Sequence, residues 1–208
     1  MPAKRFEREL VTGWLHEPAS PNGAALAVTH GAGSNCEAPL LRAVAEALCE
    51  AGLWVLRYDL PYRQARPKGP PFPAQAARDR DGVRAASAAL REIARKVYLG
   101  GSSYGGRQTS MAAAEDAGIG DALLLLSYPL HPPGKANQLR TEHFAKLHVP
   151  AMFAHGTRDS FGTIDEMRAA VAAIPAVTEL LAIDGAPHGL PATAAKLVAS
   201  RFMEFTRR

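Results

Sequence analysis

The chain is poor in cysteine, in lysine and in long apolar runs. Its two cysteines, Cys36 and Cys49, show no paired spacing. That excludes a disulfide framework and any recognisable zinc motif, and no metal or other cofactor is expected. No apolar run approaches the ~18 residues that a membrane helix needs; the leucine-rich run Ala122 to Leu126 has the length of a strand. The segment from Met1 to Glu7 carries charge with no apolar stretch behind it, unlike a signal peptide. The expected location is a reducing cytoplasm, without membrane attachment.

Lysine is scarce because the basic residues are mostly arginine, 18 against 6 lysines, in a chain of net charge +4. A nucleic-acid reader clusters such charge on one face. Here arginines alternate with acids, as in Arg78-Asp79-Arg80-Asp81, the pattern of a solvated helix face. No nucleic-acid partner is expected. Hydrophobic residues make up 47% and charged residues 21% of 208, which excludes disordered, collagen-like and coiled-coil chains. A chain of this length buries about 70% of its unfolded surface, so it needs no staple. One domain over residues 1–208 is expected, as a monomer or homodimer.

Short apolar runs alternate with helical patterns. The runs are Ala25–Thr29, Leu53–Tyr58, Lys96–Leu99, Ala122–Leu126, Ala151–Ala154 and Glu179–Ile183, with Leu10–Leu15 as an antiparallel edge strand. Helical spacing covers Pro39 to Ala51, Ala76 to Arg95, Tyr104 to Ala117, Thr163 to Ile174 and Ala192 to Phe205. This order predicts an α/β fold with a mostly parallel sheet flanked by helices. Ligands bind such sheets at the carboxyl ends of the strands. Two long segments, Leu60 to Gln75 and Ser127 to Pro150, follow strands and are expected to overhang that end.

The most informative stretch is Gly101-Ser102-Ser103-Tyr104-Gly105, a G-x-S-x-G nucleophile elbow between a strand and a helix. The turn is too sharp for side chains at the glycine positions, and the serine itself sits in strained backbone. A dinucleotide fingerprint and a P-loop lysine are both lacking, which disfavours a phosphate-binding turn. Serine needs a base to become a nucleophile. In enzymes with this elbow the order is serine, acid, histidine. Of the histidines after Ser103, only His188 has both a strand behind it and a candidate acid before it. That acid is Asp159, just beyond the Ala151–Ala154 run; Asp165 and Asp184 are weaker choices, and a helix cap or turn is the plainer role for Asp159. An oxyanion hole would draw one amide from Tyr104 and another from Ala32 or Gly33, in the glycine-rich loop after the first parallel strand. His30 reads as a structural residue of that loop. His131 and the basic residues Arg63, Arg66, Lys68, Arg140 and Arg158 lie in or near loops at the same end. Of these, Arg63, His131 and Arg140 are candidate substrate contacts, the arginines for an acidic or phosphate-bearing group; ordinary surface arginines are the plainer reading.

Together, THGAGSN (Thr29–Asn35), LRYDLPYR (Leu56–Arg63), GGSSYGGR (Gly100–Arg107), YPLHPPGK (Tyr128–Lys135), LRTEH (Leu139–His143), HGTRDSFGT (His155–Thr163) and DGAPHG (Asp184–Gly189) resemble the α/β-hydrolase superfamily. The chain is similar to its compact branch of dienelactone-hydrolase-like proteins, which also includes a testis-expressed protein and an NSL chromatin-complex subunit. The resemblance implies Ser103 as nucleophile, Asp159 as orienting acid and His188 as base, with no large cap domain. Dienelactone hydrolases proper carry cysteine where this chain has Ser103, so their substrate does not carry over. The expected activity is a serine hydrolase cleaving a small ester or thioester through an acyl-enzyme. The alternatives are a non-catalytic interaction scaffold on the same fold, or an acyltransferase or peptidase using the same triad.

Overall fold

The computed structural model describes residues 3–208. Eight strands form one sheet among the described residues: β1 (Lys4–Arg8), β2 (Val11–His16), β3 (Ala24–Thr29), β4 (Trp54–Asp59), β5 (Lys96–Ser102), β6 (Ala122–Leu126), β7 (Ala151–Gly156) and β8 (Thr178–Ile183). Their spatial order is β1-β2-β4-β3-β5-β6-β7-β8. The first two pair antiparallel and the rest run parallel. The helices are α1 (Pro39–Glu50), α2 (Pro61–Ala65), α3 (Ala76–Arg91), α4 (Tyr104–Glu115), α5 (Ile164–Val171) and α6 (Ala195–Phe205).

The unbroken Ala-Leu-Leu-Leu-Leu run of β6 follows from burial on both faces. Leu123 and Leu125 point into one apolar layer, with Val83 and Leu90 of α3, Ala112 of α4 and Met167 of α5. Leu124 and Leu126 point into the other, with Leu41 and Val44 of α1 and Val198 and Phe202 of α6. Each fully buried leucine contributes about 1.5–3 kcal/mol relative to an exposed one. The alternation of side chains across the sheet therefore fastens both helical layers to it.

Two details depart from the sequence expectation. The sheet edge is β1, not the Leu10–Leu15 segment; β2 lies one strand in and pairs with β4. Lys4–Arg8 reads as a charged terminus because four of its five residues are exposed, so it carries no apolar alternation. The helix expected to reach Arg95 ends at Arg91, and Ile93 beyond it is exposed. The Leu60–Gln75 segment also holds the short helix α2.

From β3 the chain passes through α1 to β4 on one side, then returns through α2 and α3 to β5 on the other. The loops after β3 and β5 therefore diverge from adjacent strand ends and open a crevice between them. No helix among the described residues is long and apolar enough to cross a membrane.

Candidate active site

Ser103 ends β5 and opens α4 with φ 50° and ψ −116°, a backbone conformation that non-glycine residues rarely adopt. The surrounding glycines make the turn possible. A Cβ on Gly101 would lie 2.5 Å from the carbonyl carbon of Gly105, and one on Gly105 would lie 2.5 Å from the His30 carbonyl oxygen. Both approaches are impossible for a side chain. The elbow thus brings α4 against the loop after β3, and the position of a Gly31 Cβ is 3.4 Å from that of Ser103.

The Ser103 Oγ lies 2.8 Å from Nε2 of His188, whose Nδ1 lies 2.8 and 3.0 Å from the two carboxylate oxygens of Asp159. Only an N–H can face a carboxylate, so Nδ1 carries the proton and Nε2 accepts from the serine hydroxyl. Asp159 has a fully buried side chain, and Oδ1 also accepts the Phe161 amide at 2.8 Å. The Phe161 ring stacks on the imidazole of His188 at 4.0 Å between centroids. One residue thereby fixes the acid through its backbone and the base through its side chain. Beneath them, His155 donates from Nε2 to the Gly162 carbonyl at 2.8 Å and sits 3.5 Å from Asp159. Burial pushes its proton affinity down, so it stays neutral beside the acid.

The loop after β3 is locked from the side away from Ser103. The Gly31 carbonyl accepts from Ser34 N–H at 3.0 Å and from His30 Nδ1 at 2.9 Å. His30 is buried, and its Nε2 accepts from the Leu60 amide at 3.2 Å. The Tyr62 hydroxyl donates to the Ala32 carbonyl at 2.9 Å. Because peptide units are planar, holding the Gly31 and Ala32 carbonyls also fixes the N–H groups of Ala32 and Gly33. Those two amides and that of Tyr104 have no acceptor among the described residues. On the other side, the buried Asp79 accepts from the Tyr104 hydroxyl at 2.8 Å and from the Tyr62 amide at 3.0 Å. Burial raises its pKa, while the two hydrogen bonds work against that rise.

A cleft of about 440 Å³ opens beside Ser103. Phe72 and Pro73 come from the proline-rich segment after β4, and Tyr104, Arg107, Gln108 and Met111 from α4. Pro129 and Arg140 come from the long segment after β6, and Phe161 completes the wall. Both long segments therefore reach the site end of the sheet, and Arg140 is among the residues that line the cleft.

Arg63 and His131 do not line it. Arg63 is 5% exposed and donates to four backbone carbonyls: Ser34 at 2.7 Å, Gly69 at 2.9 Å, Ala32 at 3.0 Å and Arg66 at 3.1 Å. It is a strut of the loop after β3, with four of its five N–H groups engaged. His131 is buried, bonded at Nδ1 to the Pro132 carbonyl at 2.8 Å, and faces Glu166 of α5 at 3.5 Å. Sequence reasoning passed over Phe161, Tyr62, Asp79 and Arg107. Phe161 lies inside the HGTRDSFGT segment, Tyr62 inside LRYDLPYR and Arg107 at the end of GGSSYGGR, whereas Asp79 stands in the Arg78–Asp81 stretch that reads as a solvated helix face and is buried instead.

The chain matches the alpha/beta hydrolase domain family over residues 22–199. Among solved structures it is similar to a dienelactone hydrolase from Anabaena variabilis, at 23% identity over 98% of this chain and 99% of that one, with a TM-score of 0.75. Est1E from Butyrivibrio proteoclasticus, in a structure with ferulic acid bound, is 19% identical over 99% of this chain and all of that one, with a TM-score of 0.77. A serine hydrolase homologue from Coxiella burnetii matches at 16% identity over 99% and 96% of the two chains, with a TM-score of 0.68. These likenesses concern the fold, and the family match covers most of the sequence. With the sheet order and elbow described above, they make this chain a member of the alpha/beta hydrolase domain family.

Proposed function

We propose that the protein is a serine hydrolase that cleaves a small ester or thioester through a Ser103–His188–Asp159 triad. The observation that carries this reading is the 2.8 Å contact between Ser103 Oγ and His188 Nε2, with Asp159 on the opposite ring nitrogen. Ser103 Oγ attacks the carbonyl carbon while its proton passes to His188 Nε2. The carbonyl π electrons move to oxygen, giving a tetrahedral oxyanion. The amides of Tyr104 and Ala32 receive that oxyanion, each worth roughly 3–4 kcal/mol of transition-state stabilisation. Ala32 is preferred over Gly33, because Gly33 is exposed and a Cβ there would meet nothing within 4 Å.

Collapse re-forms the carbonyl and breaks the bond to the leaving group, which takes the proton from His188. Water then attacks the acyl-enzyme, giving its proton to the same nitrogen, and Ser103 departs with it. Asp159 holds the imidazole in the required tautomer and stabilises the imidazolium that forms twice in the cycle. The cleft volume of about 440 Å³ suits a small substrate. Replacement Ser103→Ala is expected to abolish hydrolysis of 4-nitrophenyl acetate, a loss on the order of a million-fold in kcat, with the melting temperature retained. Undiminished turnover in a folded Ser103→Ala protein would refute the assignment.

A further inference from the structure

The cleft beside Ser103 holds two arginines, Arg107 and Arg140, and no carboxylate of the described residues pairs with either. Other arginines of the chain do find acids, among them Arg8 with Glu92 at 3.0 Å, Arg57 with Glu37 at 3.3 Å, Arg84 with Asp81 at 2.9 Å and Arg91 with Asp121 at 2.7 Å. The nearby acids are committed or out of reach. Asp79 accepts from Tyr104 and Tyr62, and Glu142 acts on Arg140 only through space.

Two buried side-chain donors of residues that line the cleft have no partner, while Arg140 Nη1 reaches only the Pro129 carbonyl, at 3.5 Å. Arg107 Nε is buried and has no hydrogen-bond partner. Gln108 is 1% exposed; its Oε1 accepts from Arg80 at 3.3 Å, and its Nε2 has no partner. A buried amide donor without an acceptor is destabilising. Arg140 is anchored from behind, where the Tyr128 hydroxyl donates to its carbonyl at 2.6 Å. Two guanidinium groups in one half-sheltered cleft repel each other, and burial first, then Arg107, disfavours the charge on Arg140. An anion in the cleft would offset this repulsion and accept the unused hydrogen bonds.

We infer that the cleft selects esters or thioesters carrying a second, anionic group, a carboxylate or phosphate, which Arg107 and Arg140 pair with while Gln108 donates from its amide. The inference rests on the serine-hydrolase reading and assigns it a substrate class. Anchoring the anion at one end of a small cleft holds the scissile carbonyl against Ser103, so the pairing acts as orientation as well as affinity.

The test compares three 4-nitrophenyl esters of similar length: the hydrogen glutarate, the 4-phosphonobutanoate and the neutral valerate. At least one anionic ester is expected to exceed the valerate about tenfold or more in kcat/KM, and the better of the two identifies the anion. In Arg107→Met and Arg140→Met the anionic-to-neutral ratio falls by about ten- to a hundred-fold, mostly through KM. Arg107→Lys recovers part of the ratio, which a merely structural role would not give. A wild-type enzyme that turns over the valerate as well as the anionic esters, or a ratio unmoved in both methionine variants, overturns the subsite and leaves the hydrolase standing. If no ester is turned over and a fluorophosphonate fails to label the protein, the hydrolase reading falls instead. Calorimetric titration with monomethyl glutarate then decides the subsite: binding that Arg107→Met abolishes supports it, and no binding overturns it.

Discussion

Replacing Arg63 by methionine separates a substrate contact from a structural strut. Four backbone carbonyls accept from this side chain, at 2.7 to 3.1 Å, and it is 5% exposed. A hydrogen bond from a charged donor contributes about 1.5–3 kcal/mol, although four on one group do not add. Water can reach some of the freed carbonyls, so the expected loss is about 3–5 kcal/mol. At roughly 2–4 °C per kcal/mol for a chain of this size, the melting temperature falls by about 10 °C. The Ala32 carbonyl keeps only the Tyr62 hydroxyl, so the oxyanion amide on the neighbouring peptide loses part of its alignment. That loss appears in kcat, because the interaction strengthens only in the transition state. Below the new melting temperature, kcat is expected to drop about ten-fold or more for neutral and anionic esters alike, with KM little changed. Thermal unfolding and steady-state kinetics on 4-nitrophenyl valerate and hydrogen glutarate measure both. An unchanged melting temperature, with the defect confined to KM for the anionic ester, would refute the strut and restore Arg63 as a substrate contact.

Two further outcomes follow from the same geometry. Asp159→Asn presents an amide to Nδ1 of His188 and favours the wrong tautomer, so kcat is expected to fall by about 10⁴-fold while the backbone stays folded; a loss below ten-fold would remove Asp159 from the triad. Stability is expected to decline as pH drops from about 6.5 toward 4. His16 is held neutral by burial and by Arg57, with a pKa lowered to about 4, so the unfolded chain takes up protons in that window before the folded one does. Its contribution is complete above the unfolded pKa and lost as pH falls through the folded one. Denaturant titrations should show a loss of roughly 1–3 kcal/mol across the window, reduced in His16→Phe; an unchanged slope in that variant would contradict the assignment.

What the sequence made legible was local. The elbow is a strand, a sharp turn and a helix in unbroken succession from Lys96 to Glu115, so its pattern names its own conformation. The β6 run announces burial on both faces because nothing polar interrupts it. The antiparallel β1 carries no such signal, since its stability comes from backbone pairing with β2 while its side chains face solvent. Arg63 and Arg107 exchange roles for a related reason. Arg63 stands in a polar, proline-rich segment that suggests a solvent-facing contact, yet its guanidinium is folded back onto carbonyls more than twenty residues away. Arg107 closes the GGSSYGGR segment inside a helix pattern that assigns it no contact, and only the fold sets it one turn beyond Ser103 among the residues that line the cleft. Spacing within a segment does not encode which distant backbone a side chain will meet.

The most direct measurement of the central claim is covalent labelling with a fluorophosphonate, read by peptide mass spectrometry on the wild type, Ser103→Ala and His188→Ala. One adduct per chain is expected on Ser103 in the wild type, none in Ser103→Ala, and labelling slowed by orders of magnitude in His188→Ala. No adduct on the wild type, or an adduct on another residue that persists in Ser103→Ala, would contradict it.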